Sequence, residues 1–109
     1  MTTSSVDVSR REHLIRANLS RANVAHLRHE LLELDRVASA HRLADLLDDQ
    51  DQTVMRMRAQ SMLLSVRGIG PVKARLILRG ADITIGMTRV GQVSGRQRAM
   101  IAELLRGVR

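Results

Sequence analysis

The amino-acid sequence predicts an all-α fold in which a long N-terminal helix precedes a small domain of shorter helices. Apolar residues recur at helical spacing along most of the chain. Two capping boxes, Ser-x-x-Glu at Ser9 and Ser-x-x-Gln at Ser94, mark helix starts. A glycine hairpin joins two amphipathic segments. We therefore expect a polar tail over residues 1–8, a helical arm over 9–37 and the small helical domain over 38–109.

Length and composition narrow the class of protein. A chain of 109 residues suits one domain with an appendage. It contains no Cys, Phe, Tyr or Trp, so its core must be aliphatic and Met-rich, without disulfides or cysteine metal sites. No apolar run approaches the ~20 residues of a membrane span, and the N-terminus lacks a signal-peptide layout. These features favour a cytoplasmic protein without a membrane partner.

The first predicted helix runs from Ser9 to about Asp35 and carries two apolar stripes. The first stripe consists of Leu14, Ile15, Leu19 and Ala22, and the second of Val24, Leu27, Leu31 and Leu34. Two packing partners, or a break near Asn23, would explain the change of face. We expect the second stripe to enter the core and the first half to project as an arm. The arm carries four arginines: Arg10, Arg11, Arg16 and Arg21. They form either one solvated helix face or a DNA contact that would be additional to the phosphate-binding residues identified below.

Shorter helices follow. A helix over 39–48 would bury Leu43, Leu46 and Leu47, and Asp51 or Thr53 would start a helix that runs over 53–66. A helix after Pro71 would place Val72, Leu76 and Ile77 on its inner face and end at Gly80 as a left-handed C-cap. Two turns at Gly86 and Gly91 would insert four residues into the core: Ile83, Ile85, Val90 and Val93. The last helix opens at Ser94.

The sequence Gly68-Ile69-Gly70-Pro71 predicts a tight hairpin between two helices. Glycine tolerates positive φ, and proline suits the first position of a helix. Free N–H groups at that helix start, with Lys73 and Arg75 in its first turns, form a site for an anion, most naturally a phosphate. A dinucleotide-binding loop does not fit, because Arg75 stands where its third glycine would be. A phosphate-loop Gly-Lys-Ser/Thr is also missing.

Charge is concentrated in the same half of the chain. Residues 1–65 have nine arginines and nine acidic residues, whereas residues 66–109 hold the whole net charge of +7. Such a basic half is typical of proteins that bind polyphosphates. The absence of aromatic rings argues against single-stranded nucleic acid, which is usually bound by stacking, and favours a duplex backbone.

Two further arginines point to the same ligand. Arg96 and Arg98 lie in the first turn of the predicted last helix, where positive charge interacts unfavourably with the helix dipole. An anion bound nearby would offset that cost. Arg89 projects from the preceding turns. His26 and His29 could share a metal, but no third ligand stands at a recognised spacing, so we expect neither a metal site nor a cofactor. No catalytic nucleophile or triad is evident.

From Val54 to Leu105 the chain resembles the actinobacterial integration host factor family. The resemblance rests on Ser61-Met62-Leu63-Leu64, on Gly68-Ile69-Gly70-Pro71-Val72-Lys73-Ala74 and on Arg96-Gln97-Arg98. It implies a nucleoid-associated protein that binds double-stranded DNA with little sequence preference through a helix-two-turns-helix module. It also implies DNA bending or compaction, with assistance to a phage integrase as one use. By this resemblance Gly68, Gly70, Val72, Lys73 and Arg89 would contact phosphates.

The full predicted DNA-binding set combines the hairpin, the second turn and the start of the last helix: Gly68, Ile69, Gly70, Val72, Lys73, Arg75, Arg89, Ser94, Arg96 and Arg98. The second turn holds fewer arginines than the family pattern, and the N-terminal half is much less similar. Alternatives are an RNA- or ribosome-binding helix-two-turns-helix protein, an enzyme acting on DNA, and a protein-interaction domain. We expect a monomer or a weak dimer that takes no small-molecule substrate.

Overall fold

The protein is described by a computed structural model covering residues 5–109, with side chains from Arg10 onward. Its helices are α1 (Ser5–Glu33), α2 (Arg36–Asp48), α3 (Gln52–Arg56), α4 (Ala59–Leu64), α5 (Pro71–Gly80) and α6 (Gly95–Arg106). A single 3-10 turn spans Val90–Gln92. Over these residues the chain forms no β-strand, and the predicted all-α class is confirmed.

Helix α1 is continuous. The break near Asn23, one of the two explanations for the change of apolar face, does not occur, and Ser9 lies within the helix instead of capping it. Residues 5–8, predicted as tail, are helical, whereas the tail predicted over 1–4 lies outside the described residues. The two apolar stripes therefore belong to one helix, whose two halves have different surroundings.

The second half of α1 belongs to the core and the first half does not. Leu27 and Leu31 are buried, whereas Leu14, Ile15 and Leu19 are each more than half exposed. The described part of the molecule measures 61 × 29 × 24 Å, so one dimension is twice the others. The apolar side chains in the first half of α1 are thus exposed, and its role as a separate arm stays a prediction.

The core is centred on the packing of α2 against α6. Its largest fully buried side chains are Leu31, Leu43, Met62, Leu63, Ile101 and Leu105. Helix α2 begins at Asp35, whose carboxylate accepts a 2.7 Å hydrogen bond from the Ala38 N–H. The predicted burial of Leu43, Leu46 and Leu47 is confirmed.

The helix predicted over 53–66 is interrupted. Met57 and Arg58 are extended, with ψ of 152° and 140°, and they separate α3 from α4. Arg58 forms an isolated antiparallel bridge with Arg89. The Val90 N–H donates to the Met57 carbonyl and the Ala59 N–H to the Thr88 carbonyl, both at 2.9 Å. This long-range pairing overrides the local helical pattern.

Residues 81–94 contain the expected turns, with two corrections. Ile83, Val90 and Val93 are buried as predicted, but Ile85 is 64% exposed. Gly80 is not a left-handed cap, because it is the last residue of α5 and the positive φ of 61° falls at Asp82. A Cβ on Gly80 would lie 3.0 Å from Leu104 Cδ1, so this glycine allows α5 and α6 to pack closely.

The inner face of α5 also differs from the prediction. Ala74, Ile77 and Leu78 are buried, whereas Val72 and Leu76 are 72% and 59% exposed. The buried residues follow the i, i+3, i+4 spacing of one helix face. Val72 and Leu76 therefore line the outer surface of α5, between Lys73 on one flank and Arg75 on the other.

Candidate nucleic-acid interface

The glycine hairpin forms the tight turn that the sequence predicts. Gly68 has a φ of +85°, a value that side chains rarely allow, and a Cβ there would lie 2.8 Å from Arg36 Cδ. Ile69 is buried, and its N–H donates to the Val66 carbonyl at 3.2 Å. Ile69 therefore anchors the hairpin in the core and cannot serve as the external contact expected from the sequence.

Side chains from α1 and α2 hold the hairpin in place. The Arg67 N–H donates to the hydroxyl of the fully buried Ser39 at 3.1 Å. The Arg67 guanidinium lies 3.5 Å from the Leu32 and Leu34 carbonyls at the end of α1. Arg28 of α1 donates to the Ser65 hydroxyl at 3.3 Å. Arg67 is thus occupied by contacts within the protein.

Helix α5 starts without a cap. The N-cap residues Asp35, Asp51 and Ser94 each accept a backbone N–H bond at the starts of α2, α3 and α6. The start of α4 is satisfied by the carbonyls of Gly86 and Thr88. The N-cap of α5 is Gly70, which offers no side-chain acceptor.

Several backbone N–H groups at the start of α5 therefore lack a hydrogen-bond acceptor among the described residues. Among the described residues, the N–H groups of Gly68, Gly70, Val72 and Lys73 find no acceptor, and the first helical bond runs from the Ala74 N–H to the Gly70 carbonyl. A Cβ on Gly70 would meet nothing within 4 Å, so the surface beside this N-cap residue is open. The partial positive charge of the helix start is directed into that space.

Two arginines stand opposite each other on the backbone at the second turn. In the bridge between Arg58 and Arg89, the hydrogen bonds belong to the flanking residues, which is the arrangement that brings opposed side chains nearest to each other. Both side chains are exposed, and their guanidinium groups donate to different carbonyls, that of Arg58 to Met87 at 3.4 Å and that of Arg89 to Arg56 at 2.5 Å. Like charges directly opposed across such a pair are destabilising. An anion between them would remove that repulsion.

Arg58 is a candidate site residue that the sequence did not reveal. It lies 31 positions before Arg89 and belongs to the electrically neutral half of the chain. Arg89 is positioned by a 2.5 Å bond from its guanidinium to the Arg56 carbonyl at the end of α3. No local sequence pattern predicts this pairing, because the two residues are far apart in the chain.

The start of α6 is less available than the sequence suggests. Ser94 and Gln97 form the predicted capping box, with bonds of 3.0 and 3.1 Å. The Arg98 guanidinium turns inward and donates to the Val93 carbonyl at 2.6 Å. Ser94 and Arg98 thus stabilise the second turn and the helix start, whereas Arg96 remains exposed at the surface.

Ion pairs distinguish two groups of basic residues. Arg106 donates to Asp48 and Asp45, and these hydrogen bonds raise its pKa above the ordinary value. A hydrogen bond to Glu30 likewise raises the pKa of Arg42. By contrast, within residues 10–109 no ion pair involves five basic side chains of the basic half: Lys73, Arg75, Arg79, Arg89 and Arg96. Four of them are available to an external anion, whereas the Arg89 guanidinium also donates to the Arg56 carbonyl.

The arm arginines Arg10, Arg11, Arg16 and Arg21 are all exposed. His29 pairs with Glu33 at 2.9 Å, and the side chains from residue 10 onward include no group of three or more potential metal ligands. No helix in the described ranges is long and apolar enough to cross a membrane.

Comparisons of the chain with protein-family models, with curated proteins and with solved structures find no match.

Proposed function

We propose that this protein is an architectural, nucleoid-associated protein that binds double-stranded DNA through its phosphates, with little sequence preference. The observation that carries the proposal is the uncapped start of α5. The N–H groups of Gly68, Gly70, Val72 and Lys73 have no acceptor within the described residues, and they lie in the half of the chain that holds the entire net charge. Helix starts of this kind bind phosphates.

The Arg58–Arg89 pair supplies a second phosphate contact. It precedes α4, and the hairpin follows α4, so the length of this short helix separates the two contacts by about 10 Å at ~1.5 Å per residue. One strand of a duplex presents a phosphate about every 3.4 Å along the axis. Two contacts on one backbone therefore fix the orientation of the protein without reading a base.

The composition supports a duplex as the ligand. With no Phe, Tyr or Trp in the chain, unpaired bases have no ring on which to stack. Bending or compaction of DNA, and assistance to an integrase, follow from the resemblance to actinobacterial integration host factors. The helix-two-turns-helix description of α4 to α6 is part of the same proposal. The exposed arginines of the arm are the candidate for a further contact.

The first test is binding of a ~30-base-pair duplex across a salt series. For B-DNA, log K falls against log salt with a slope of about −0.9 per phosphate neutralised. We expect a slope of about −3 to −6 that is the same for unrelated sequences. A matched RNA duplex serves as the competitor, and we expect it to bind more weakly. A flat salt response would reject phosphate binding, and an equal preference for RNA would favour the ribosomal or RNA-binding alternative.

A further inference from the structure

A cavity with two arginines at its rim lies beside the second half of α5. It has a volume of about 390 Å³ and is bordered by Gln60, Arg75, Arg79, Asp82, Thr84 and Gly86. Gly86 brings the turn close to α4, since a Cβ there would lie 3.1 Å from Gln60 Cβ and 3.2 Å from Leu78 Cδ1. The Gln60 N–H also donates to the Gly86 carbonyl at 2.9 Å. These contacts join the turn and α4 into one wall, opposite α5.

The two arginines on this cavity have no use within the fold. Arg75 and Arg79 are one helical turn apart, so their side chains lie on the same side of α5. Both are exposed, and in the described part of the chain neither one makes a hydrogen bond or an ion pair through its side chain. Thr84 and Gln60 add a hydroxyl and an amide as neutral donors. The basic side chains and donors together form a site for a phosphoryl anion.

We propose that Arg75 and Arg79 bind a phosphate at this cavity, and that during DNA binding it is a further backbone phosphate of the same duplex. This inference rests on the proposed function. Val72 and Arg79 are seven residues apart on α5, which is about 10 Å along its axis. The cavity and the amides at the start of α5 thus span about three phosphates of one strand. Arg79 is not among the residues that the sequence alone marks as a DNA contact.

Asp82 provides a charge of opposite sign at the same rim. It is exposed, it has a positive φ of 61°, and it forms no ion pair with either arginine. Asparagine tolerates this left-handed conformation well. Asp82→Asn therefore removes one negative charge from the cavity and keeps the backbone, and it should tighten phosphate binding. Substitutions at Arg79 and Asp82 are expected to act in opposite directions.

The experiment compares Arg79→Ala, Asp82→Asn and the wild type in the duplex salt series. Removal of one phosphate contact should reduce the slope by about 0.9, so between 50 and 200 mM salt the affinity of Arg79→Ala should fall roughly threefold less than that of the wild type. Asp82→Asn should bind more tightly than the wild type. The control is Arg42→Ala on α2, which removes the same charge outside the cavity and should keep the wild-type slope.

The outcomes separate this inference from the proposed function. If the wild type shows the expected slope but Arg79→Ala and Asp82→Asn both match it, the cavity site is rejected and duplex binding stands. Inorganic phosphate, titrated while the amide signals of Thr84 and Gly86 are followed by NMR, distinguishes the source of the anion. Shifts that Arg79→Ala abolishes, in a protein that binds no duplex, would overturn the assignment to DNA and leave a site for a free phosphate.

Discussion

At the residue scale, Gly70 gives the sharpest test of the proposed site. Its φ of −91° and ψ of −177° lie in the extended region that N-cap residues adopt, yet it offers no acceptor to the helix that it starts. The fold does not require glycine here, because a Cβ would meet open space. The absence of a side chain at Gly70 instead keeps the N–H groups of α5 accessible.

Gly70→Asp should therefore raise stability and lower DNA binding. An aspartate N-cap would accept from the free N–H groups and interact favourably with the helix dipole, which should raise the free energy of unfolding by about 0.3 to 1 kcal/mol. The same carboxylate would occupy the phosphate position and repel DNA. Urea unfolding and duplex titration measure the two effects.

Gly70→Asn is the matched control, because it caps the helix without adding charge. It should stabilise α5 to a similar extent and weaken DNA binding less than Gly70→Asp does. A stabilised Gly70→Asp protein that binds duplex as tightly as the wild type would show that α5 does not contact phosphate.

Arg58 provides the second test at this scale. In Arg58→Glu the bridge would join opposite charges in place of like charges, which should raise the free energy of unfolding by about 0.5 to 1 kcal/mol and weaken duplex binding. Arg58→Gln removes the repulsion without adding a negative charge and should weaken binding less. The comparison is thermal unfolding beside fluorescence anisotropy of a labelled duplex. Unchanged affinity in both variants would place the Arg58–Arg89 pair outside the DNA site.

At the scale of elements, the hairpin depends on a polar contact with α2. Ser39 is fully buried, and its hydroxyl accepts from the Arg67 N–H at 3.1 Å. Ser39→Ala removes that acceptor and should lower the free energy of unfolding by about 1 to 2 kcal/mol. Chemical denaturation measures this decrease, and Ser20→Ala on the arm is the control with no such partner. Equal stability of both variants would mean that the hairpin does not depend on Ser39.

Local chemistry predicts some elements and not others. Pro71 and the Ser94–Gln97 capping box fix the starts of α5 and α6, because the signal lies within one helical turn. The break at Met57–Arg58 depends on a partner 31 residues away and leaves no local pattern. The sequence around Gly80 predicts a cap wrongly, because the contact of this glycine with Leu104 of α6 is likewise not local.

The candidate site shows the same division. The hairpin amides, Lys73 and Arg89 can be identified from the sequence, because glycine, proline and charge mark them directly. Whether a basic side chain is free to bind depends on its partners in three dimensions. The guanidinium groups of Arg67 and Arg98 contact carbonyls of the protein, and so does that of Arg58, whereas Arg79 is exposed without such a contact.

At the scale of the whole molecule, the arginines of the arm lie outside the core. The core begins near Val24, and Arg10, Arg11, Arg16 and Arg21 all precede it on the exposed part of α1. Changing these four arginines to alanine preserves helix propensity and should leave the unfolding transition of the core unchanged. If the arm binds DNA, the salt slope should become shallower by about 0.9 for each phosphate that the arm no longer neutralises. Sedimentation should show the same oligomeric state, and an unchanged slope would mean that these arginines only line a solvated helix face.

Because α1 is continuous, the core also fixes the rotation of the arm about the helix axis. No loop or glycine separates the arm from Leu27 and Leu31, so the core fixes the direction in which each arm side chain points. At 3.6 residues per turn, one residue inserted at Asn23 would rotate the whole arm by about 100°, whereas four would rotate it by only about 40°. The contacts that the arm makes therefore depend on the number of residues between the arm and the core, as well as on which residues the arm carries.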